Sequence, residues 1–169
     1  TRLIKEAKKP IIVCGGGVRY SGAENELLEF ATKYNIPIAE TQAGKGLIKW
    51  DNPLNVGGIG VTGGKAANVI GRDADLVIGV GTRFTDFTTS SKWLFNEERK
   101  VLGINVCPFD AYKMDAEAIV ADAKEAITAL ISSCEGYKSE YTNEIENAKA
   151  EWDKIVDKYY STELEGGLN

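Results

Sequence analysis

Short apolar runs alternate with segments of helical spacing along the chain, and one run stands out. Leu76-Val77-Ile78-Gly79-Val80 follows two acids and ends at Gly81-Thr82-Arg83. An apolar run without polar alternation is typical of a strand that is covered on both faces, as in a parallel sheet. We therefore expect this strand to form the middle of the fold.

Other segments repeat this buried-strand pattern, with helical spacing between them. They are residues 11–14, 36–40, 100–106 and 118–120. Strands that alternate with helices predict right-handed β-α-β crossovers. The predicted fold class is α/β, a doubly wound parallel sheet of five or six strands with helices on both faces (Rossmann-like) and a long C-terminal helix.

Polar residues that can cap a helix mark two of the predicted helix starts. Ser21 and Glu24 have capping-box spacing before an apolar stripe, and Asp122 with Glu125 repeats the signal before a second stripe. The side-chain oxygens of such residues accept hydrogen bonds from the first N–H groups of a helix. Three apolar residues, Trp93, Leu94 and Phe95, are predicted to lie on a short helix and to fill part of the core.

A long segment between the second strand and the central strand is rich in glycine. Residues 41–64 have little periodicity, which predicts an ordered loop. Within it, Gly58-Ile59-Gly60-Val61-Thr62-Gly63 matches a dinucleotide-binding fingerprint by spacing. The fingerprint also needs a strand immediately before it and an acid after the next strand, whereas Pro53 and Asn55 precede it and Arg83 follows that strand. A helix N-terminus that receives an anion and a structural turn are the other interpretations.

The last part of the chain has a helical stripe of apolar residues at intervals of three and four. Its members are Tyr141, Ile145, Ala148, Trp152, Ile155 and Tyr159. The stripe predicts a long amphipathic helix. We expect a central α/β domain at residues 1–136, and at residues 137–169 a linker helix that leads toward a missing C-terminal domain and ends at Gly166-Gly167. The alternative is that this helix packs back on the same domain.

Composition narrows the class of protein. A chain of 169 residues with 43% hydrophobic content predicts one compact domain with a core, without an apolar stretch long enough to span a membrane. Cys14, Cys107 and Cys134 have neither metal-binding nor redox spacing, and their odd number argues against a disulfide framework, which favours a cytoplasmic location. The net charge of −5 gives no electrostatic footprint for nucleic acid or anionic membranes, so neither is expected as a partner.

The sequence contains no histidine. Histidine is the commonest general base, the usual partner of a nucleophilic serine or cysteine, and the commonest zinc ligand. We therefore expect no histidine-dependent catalytic residue and no histidine metal ligand within this chain. The chain starts at Thr1 and its only methionine is Met114, so we expect that it was cut from a longer protein.

The end of the central strand is the first place to look for a site. In open α/β sheets, ligands bind beyond the carboxyl ends of the strands. Gly79 and Gly81 remove side chains there, which suits either a close approach to a ligand or a tight turn. Arg83 is the first candidate side chain, and an arginine paired with a nearby carboxylate is the alternative.

Several segments together carry a resemblance to a known family. They are residues 39–46, Trp50-Asp51, Pro53-Leu54-Asn55, 57–63, Ala67-Asn68 and 74–83. These segments resemble the central domain of thiamine-diphosphate-dependent enzymes, and the similarity covers nearly the whole chain. Within that superfamily, residues 41–46, 84–89 and 104–111 are most similar to a branch of C–C-bond hydrolases that acts on a cyclic dione in inositol breakdown.

The resemblance implies a three-domain enzyme in which thiamine diphosphate and Mg2+ are held between the first and third domains, outside this chain. The central domain is then mainly structural and inactive when isolated. Its partners are the missing N-terminal and C-terminal domains, in a full-length protein that forms a homo-oligomer.

Some relatives, such as acetohydroxyacid synthase and oxalyl-CoA decarboxylase, carry FAD or ADP in this domain. The resemblance implies that the corresponding nucleotide cleft in this chain would be lined by Gly15, Gly16, Gly17, Thr41, Gln42, Gly81, Thr82, Arg83, Asn105 and Asp122. Where those relatives commonly have aspartates after the fourth strand, which could bind a ribose, this chain has Asn105 and Cys107. A nucleotide-binding regulatory domain is therefore the alternative to a structural one. A sirtuin-like deacylase, which shares the sheet type, is excluded because it needs a histidine base.

Overall fold

The computed structural model of the chain describes residues 1–161. Six parallel strands form one sheet in the order β3-β2-β1-β4-β5-β6. The strands are β1 (Pro10–Cys14), β2 (Ile38–Glu40), β3 (Asn55–Gly58), β4 (Leu76–Val80), β5 (Lys100–Asn105) and β6 (Glu117–Val120). The doubly wound parallel sheet predicted from the sequence is confirmed, and the apolar run 76–80 lies at its middle as β4.

Helices connect the strands and cover the sheet. They are α1 (Arg2–Glu6), α2 (Gly16–Ser21), α3 (Glu24–Tyr34), α4 (Lys65–Asp73), α5 (Asp86–Thr89), α6 (Pro108–Ala111), α7 (Ala123–Ser133) and α8 (Thr142–Tyr160), with 3-10 turns at Gln42–Gly44 and Lys113–Asp115. Among residues 1–161, no helix is at once long enough and apolar enough to cross a bilayer.

The sheet separates two hydrophobic cores. On one face, residues of α3 and α7 such as Leu27 and Ile127 pack on Ile12, Ile78 and Ile104 of the strands. On the other face, residues of α4 and α8 pack on the remaining strand side chains, among them Ile11, Val77 and Val101. Because successive side chains of a strand point to opposite faces, a strand buried on both faces must be apolar throughout. This explains the unbroken apolar runs of β1 and β4.

Three local predictions are wrong. Ser21 and Glu24 do not form a capping box, because α2 ends at Ser21, Gly22 adopts a left-handed conformation, and α3 begins at Glu24 without a side-chain cap. The supposed loop 41–64 contains β3, an edge strand whose sequence Asn-Val-Gly-Gly has a single apolar side chain. The segment after α5 is a turn rather than a helix, and only its third residue, Phe95, is buried, whereas Trp93 is 88% exposed.

The last helix, α8, packs on the same domain over its first half. Tyr141 and Ile145 are buried in the core beside α4, with Ala148 and Trp152 packed against them. This is the alternative that the sequence left open. The division at residue 136 stays a prediction, and Gly166-Gly167 lies outside the described residues.

Lys149 joins α8 to the segment that leads into β3. Its Nζ donates to the carbonyl oxygens of Asn52, Pro53 and Asn55 at 2.7, 3.1 and 2.8 Å. Burial lowers the pKa of this lysine from its usual value. Around it, ion pairs of 2.6 and 2.8 Å link Glu144 to Lys9 and Glu151 to Lys65. The helix is therefore attached to the domain by polar contacts as well as by its apolar stripe.

Candidate functional site

A cleft of about 490 Å3 opens at the carboxyl ends of β1, β2, β4 and β5. The strand order reverses between β1 and β4, and this is the place where open α/β sheets bind ligands. All residues of the predicted nucleotide cleft except Asp122 line this one cavity. They are Gly15, Gly16, Gly17, Thr41, Gln42, Gly81, Thr82, Arg83 and Asn105.

The glycines of the cleft floor bring the start of α2 against the end of β4. Gly17 donates its N–H to the carbonyl oxygen of Gly81 at 3.0 Å, and Gly15 donates to Val80 at 2.9 Å. A Cβ on Gly81 would lie 2.6 Å from the Cα of Gly17, and Gly81 itself has φ +56°. These glycines are therefore explained by contact between two backbone segments, and the tight turn expected at Gly81 is present.

Arg83 stands on the wall of the cleft with an exposed side chain. Within residues 1–161 no carboxylate forms an ion pair with its guanidinium, so the arginine–carboxylate pair considered from the sequence is not observed. Nearby, Lys113 donates to the backbone carbonyl of Arg83 at 3.1 Å and pairs with Asp110 at 2.7 Å. The cleft thus presents one cation whose charge the described part of the chain does not neutralise.

Threonine hydroxyls add neutral polar groups to the cleft. Thr41 and Thr82 accept hydrogen bonds from the N–H groups of Gly44 and Phe84 at 3.2 and 3.4 Å, and Thr62 accepts from Gln42 at 3.3 Å. Because each of these oxygens is an acceptor within the protein, its O–H proton is available to donate elsewhere. The floor and walls therefore suit a ligand that carries acceptor oxygens.

Sequence reasoning missed several residues that line the cleft. They are Tyr20, Ala43, Ile59, Thr62, Thr85, Phe87, Thr88, Val106 and Asp110. The threonine-rich composition of residues 84–91 was a usable signal for Thr85 and Thr88. Tyr20 and Val106 carried no signal, because their position depends on where α2 and β5 end.

Asn105 and Asp122 have structural partners. The side-chain amide of Asn105 donates to the carbonyl of Thr82 at 3.0 Å and its oxygen accepts from the N–H of Cys107 at 3.0 Å. Asp122 caps α7, as predicted, by accepting from Lys124 and Glu125 at 2.8 and 3.3 Å.

The capping role places Asp122 outside the main cleft. It lies in a smaller adjoining pocket of about 160 Å3, whose lining shares Gly17, Gly81 and Asn105 with that of the cleft. A hydrogen bond from Ser21, followed by the two capping bonds, lowers the pKa of this carboxyl. Asp122 therefore lines the adjoining pocket and not the main cleft, which contains the other nine predicted residues.

The glycine-rich segment after β3 forms a closed turn. Gly63 and Gly64 donate to the carbonyls of Gly60 and Gly58 at 3.0 and 2.8 Å. The side chain of Asn68 bonds both the N–H and the carbonyl of Gly60 at 2.9 and 3.0 Å. Although the strand that the fingerprint requires is present as β3, the glycines are accounted for by these internal contacts. A structural turn is the interpretation that the geometry supports.

Comparison with known proteins places this geometry in a family. The chain matches the family described as "Thiamine pyrophosphate enzyme, central domain" over residues 1–130. It is 54% identical over 164 residues to the 3D-(3,5/4)-trihydroxycyclohexane-1,2-dione hydrolase of Clostridium tetani, covering 95% of this chain and 26% of that protein. The proteins of the same name from Bacillus anthracis and Geobacillus thermodenitrificans are 51% and 54% identical, over 99% and 95% of this chain and 28% and 25% of their own length.

The chain therefore spans about a quarter of the length of these relatives. The resemblance inferred from the sequence is confirmed, both for the superfamily and for the dione-hydrolase branch. The fold agrees with the family match, and the chain belongs to the thiamine pyrophosphate enzyme family, within which it corresponds to the central domain.

Proposed function

We propose that this chain is the mainly structural central domain of a thiamine-diphosphate-dependent hydrolase that opens the ring of 3D-(3,5/4)-trihydroxycyclohexane-1,2-dione. The observation that carries the proposal is identity above 50% across almost the whole chain to proteins that bear this name. The reaction adds one water across a ring C–C bond and yields 5-deoxyglucuronic acid, a step of inositol breakdown. The proposed enzyme is cytoplasmic and homo-oligomeric, with further domains before and after this one.

We assign the cofactor site to those other domains. Magnesium and a diphosphate require oxygen ligands that converge, and carboxylates usually supply them. The described residues contain no group of three or more histidine, cysteine, aspartate or glutamate side chains that could hold a metal ion. The resemblance to enzymes that hold the cofactor between their first and third domains supports the assignment, and we derive no catalytic step from the residues of this chain. When bound elsewhere in the enzyme, thiamine diphosphate supplies the electron sink for C–C cleavage.

Two measurements test this assignment. The protein encoded by the whole reading frame that contains this chain should consume the dione only when thiamine diphosphate and Mg2+ are present. The chain of 169 residues alone should neither bind thiamine diphosphate with Mg2+ in calorimetry nor consume the dione. Micromolar binding of the cofactor to this chain alone would show that the site has been placed in the wrong domain.

A second candidate function is nucleotide binding in the cleft, as in the relatives that carry ADP or FAD. The observation that favours it is Arg83, whose guanidinium has no ion-pair partner in the described chain and lines a cavity of ligand-binding size. Arginine is well suited to phosphate because its planar donors can bind two oxygens at once. Asn105 does not favour ribose recognition, since both ends of its amide bond the backbone.

Thermal unfolding with ADP or FAD tests this second function. Ligand at 100 times its dissociation constant adds about 2.7 kcal/mol to the free energy of unfolding, which raises the melting temperature measurably. Arg83→Ala should abolish the shift. Arg72→Ala is the matched control, because Arg72 is exposed and pairs with Asp73 at the opposite end of β4. The absence of a shift with either nucleotide at millimolar concentration would leave Arg83 without a ligand-binding role.

A further inference from the structure

The turn after α5 holds three consecutive residues in a left-handed conformation. Ser90, Ser91 and Lys92 have φ values of 49°, 54° and 72°, and none of them is glycine. This conformation brings the Cβ of an L-residue too close to the neighbouring backbone, so it normally occurs at single positions. Strain of this kind persists only where the surrounding structure enforces it, and it concentrates at functional positions. We call residues 90–93 the Trp93 turn.

Hydrogen bonds tie the Trp93 turn to α5, the helix that precedes it. The N–H of Ser91 donates to Asp86 at 2.9 Å, and the N–H of Lys92 donates to the hydroxyl of Thr89 at 3.0 Å. The N–H of Leu94 returns to the carbonyl of Thr89 at 3.1 Å. Thr89 is fully buried, so the base of the turn is anchored in the domain. The Trp93 turn is thus fixed by hydrogen bonds at its base.

At the end of this turn stands Trp93, with 88% of its surface exposed. Trp50 is also exposed, at 85%, but it lies in a turn without left-handed residues. Exposure of a single tryptophan is therefore ordinary in this chain, whereas its presentation on a strained, hydrogen-bonded turn is not. An ordered tryptophan that projects from a surface is the type of residue that dominates the energy of protein interfaces.

We propose that Trp93 is an interface anchor that inserts into an apolar pocket on another domain of the same, longer polypeptide. The dione hydrolases that match this chain are about four times its length, so most of such a polypeptide lies outside the described structure. A single anchor gives a small contact area, which is weak between separate molecules but sufficient when a covalent tether keeps the partner at millimolar effective concentration. The proposal rests on the proposed function only in requiring that the longer polypeptide exists.

Limited proteolysis of the protein encoded by the whole reading frame tests the anchor. Trp93→Ala should accelerate cleavage of the segments that join this domain to its neighbours by roughly tenfold or more, the scale expected for a buried interface tryptophan. Trp50→Ala is the matched control and should be cleaved at the wild-type rate. In the chain of 169 residues alone, both variants should keep the wild-type unfolding midpoint, since both side chains are exposed there.

A second variant separates the strain from the tryptophan. Ser91→Gly should raise the unfolding midpoint of the 169-residue chain, because glycine adopts φ of 54° without a steric penalty. In the longer protein the same change should speed interdomain cleavage, because Trp93 is then held less rigidly.

Three results would overturn the proposal. They are wild-type cleavage of the Trp93→Ala protein, a reading frame no longer than this chain, and self-association of the chain that Trp93→Ala abolishes, which would make a second copy the partner. None of these measurements uses the dione or the cofactor. A protein that proves inactive as a hydrolase therefore leaves the anchor test intact.

Discussion

Two cations in this domain have opposite surroundings. Lys149, on α8, is half-buried and donates to three backbone carbonyls within 3.1 Å. Arg83, on the wall of the cleft, is exposed, and no acid within residues 1–161 forms an ion pair with it. Lys149 lies beside the segment that enters β3, at the amino end of the sheet, whereas Arg83 follows the carboxyl end of β4. Only the first of these two cations is used by the fold.

The comparison distinguishes polar groups that the fold uses for its own stability from polar groups that remain available to bind a ligand. At the contact between α8 and the segment before β3, Lys149 donates hydrogen bonds to three backbone carbonyls. Removing this lysine would leave those carbonyls without the donor. The cleft, by contrast, keeps an exposed cation, Arg83, that forms no ion pair within residues 1–161, so removing its side chain should leave the fold unaffected. Substitutions in the two regions should therefore change different measured quantities.

Gly81→Ala tests the backbone contact under the cleft and should have the largest effect on stability. Gly81 and Gly22 share left-handed φ values of 56° and 59°. An added Cβ at Gly81 would collide with Gly17, whereas one at Gly22 would meet nothing within 4 Å. We expect a loss of about 3 kcal/mol in the free energy of unfolding for Gly81→Ala and about 1 kcal/mol for Gly22→Ala, measured in urea. Equal losses would show that conformation rather than the contact sets the requirement.

Lys149→Met tests the satisfied cation. The substitution keeps the apolar stem but removes the donor for three carbonyls, and we expect a loss of about 2 kcal/mol in the free energy of unfolding. Amide exchange should also become faster in residues 52–58. Lys154→Met, at an exposed position of the same helix, is the control and should stay within about 0.5 kcal/mol of the wild type. Similar effects of the two variants would mean that the contact contributes nothing to stability.

Tyr141, at the start of α8, should make the free energy of unfolding depend on pH in the alkaline range. Its hydroxyl donates to the carbonyl of Pro10, and burial, with smaller contributions from neighbouring groups, raises the pKa of the phenol well above its usual value. Because the folded pKa is the higher one, the contribution to stability is complete below pH about 10 and is lost as pH rises further. The loss is at most about 1.4 kcal/mol per pH unit.

Urea unfolding at several pH values between about 9 and 11 measures this dependence. Tyr141→Phe should flatten the alkaline slope, and Tyr160→Phe, at an 85% exposed position, should leave it unchanged. An unaltered slope in Tyr141→Phe would assign the alkaline loss to other groups.

Arg83→Ala should have the smallest effect on the free energy of unfolding, within about 0.5 kcal/mol, because the side chain is exposed and the fold does not use it. Its effect on a nucleotide-induced shift in melting temperature, by contrast, should be complete if the cleft binds phosphate. A loss of stability above about 1 kcal/mol without ligand would reveal a structural role for the guanidinium and would remove the contrast with Lys149.

The sequence could predict those elements of the fold whose position follows from the polarity or the hydrogen-bonding capacity of their side chains. The runs 11–14 and 76–80 had to be doubly buried strands because they contain no polar side chain, and Asp122 before an apolar stripe had to be a helix cap. β3 could not be predicted in this way. Its pairing with β2 is made by backbone groups and includes a register shift between Ile38 and Ala39, so its side chains carry little signal.

The same limit applies to the cleft. Glycines and the arginine at strand ends were visible in the sequence, since parallel strands end at a common edge. Only the family resemblance assigned Asp122 to the cleft. In the structure Asp122 caps α7 and lines the adjoining pocket. Trp93 was assigned to the core by its hydrophobicity, whereas the backbone conformation of three preceding residues decides its exposure.

The strand order also determines when the domain can fold during synthesis. β1 pairs along its whole length with β4, so that Pro10 lies beside Leu76. The hydroxyl of Tyr141, which is 131 residues farther along the chain, donates a hydrogen bond to the carbonyl of Pro10. A ribosome therefore releases β1 long before β4 exists, and the edge of this apolar strand that pairs with β4 stays unsatisfied through that interval, even after β2 has emerged to pair with the other edge. Non-local pairing of this kind slows folding and exposes the chain to aggregation. A long-lived unpaired strand edge during translation is the consequence of placing the first strand in the middle of the sheet.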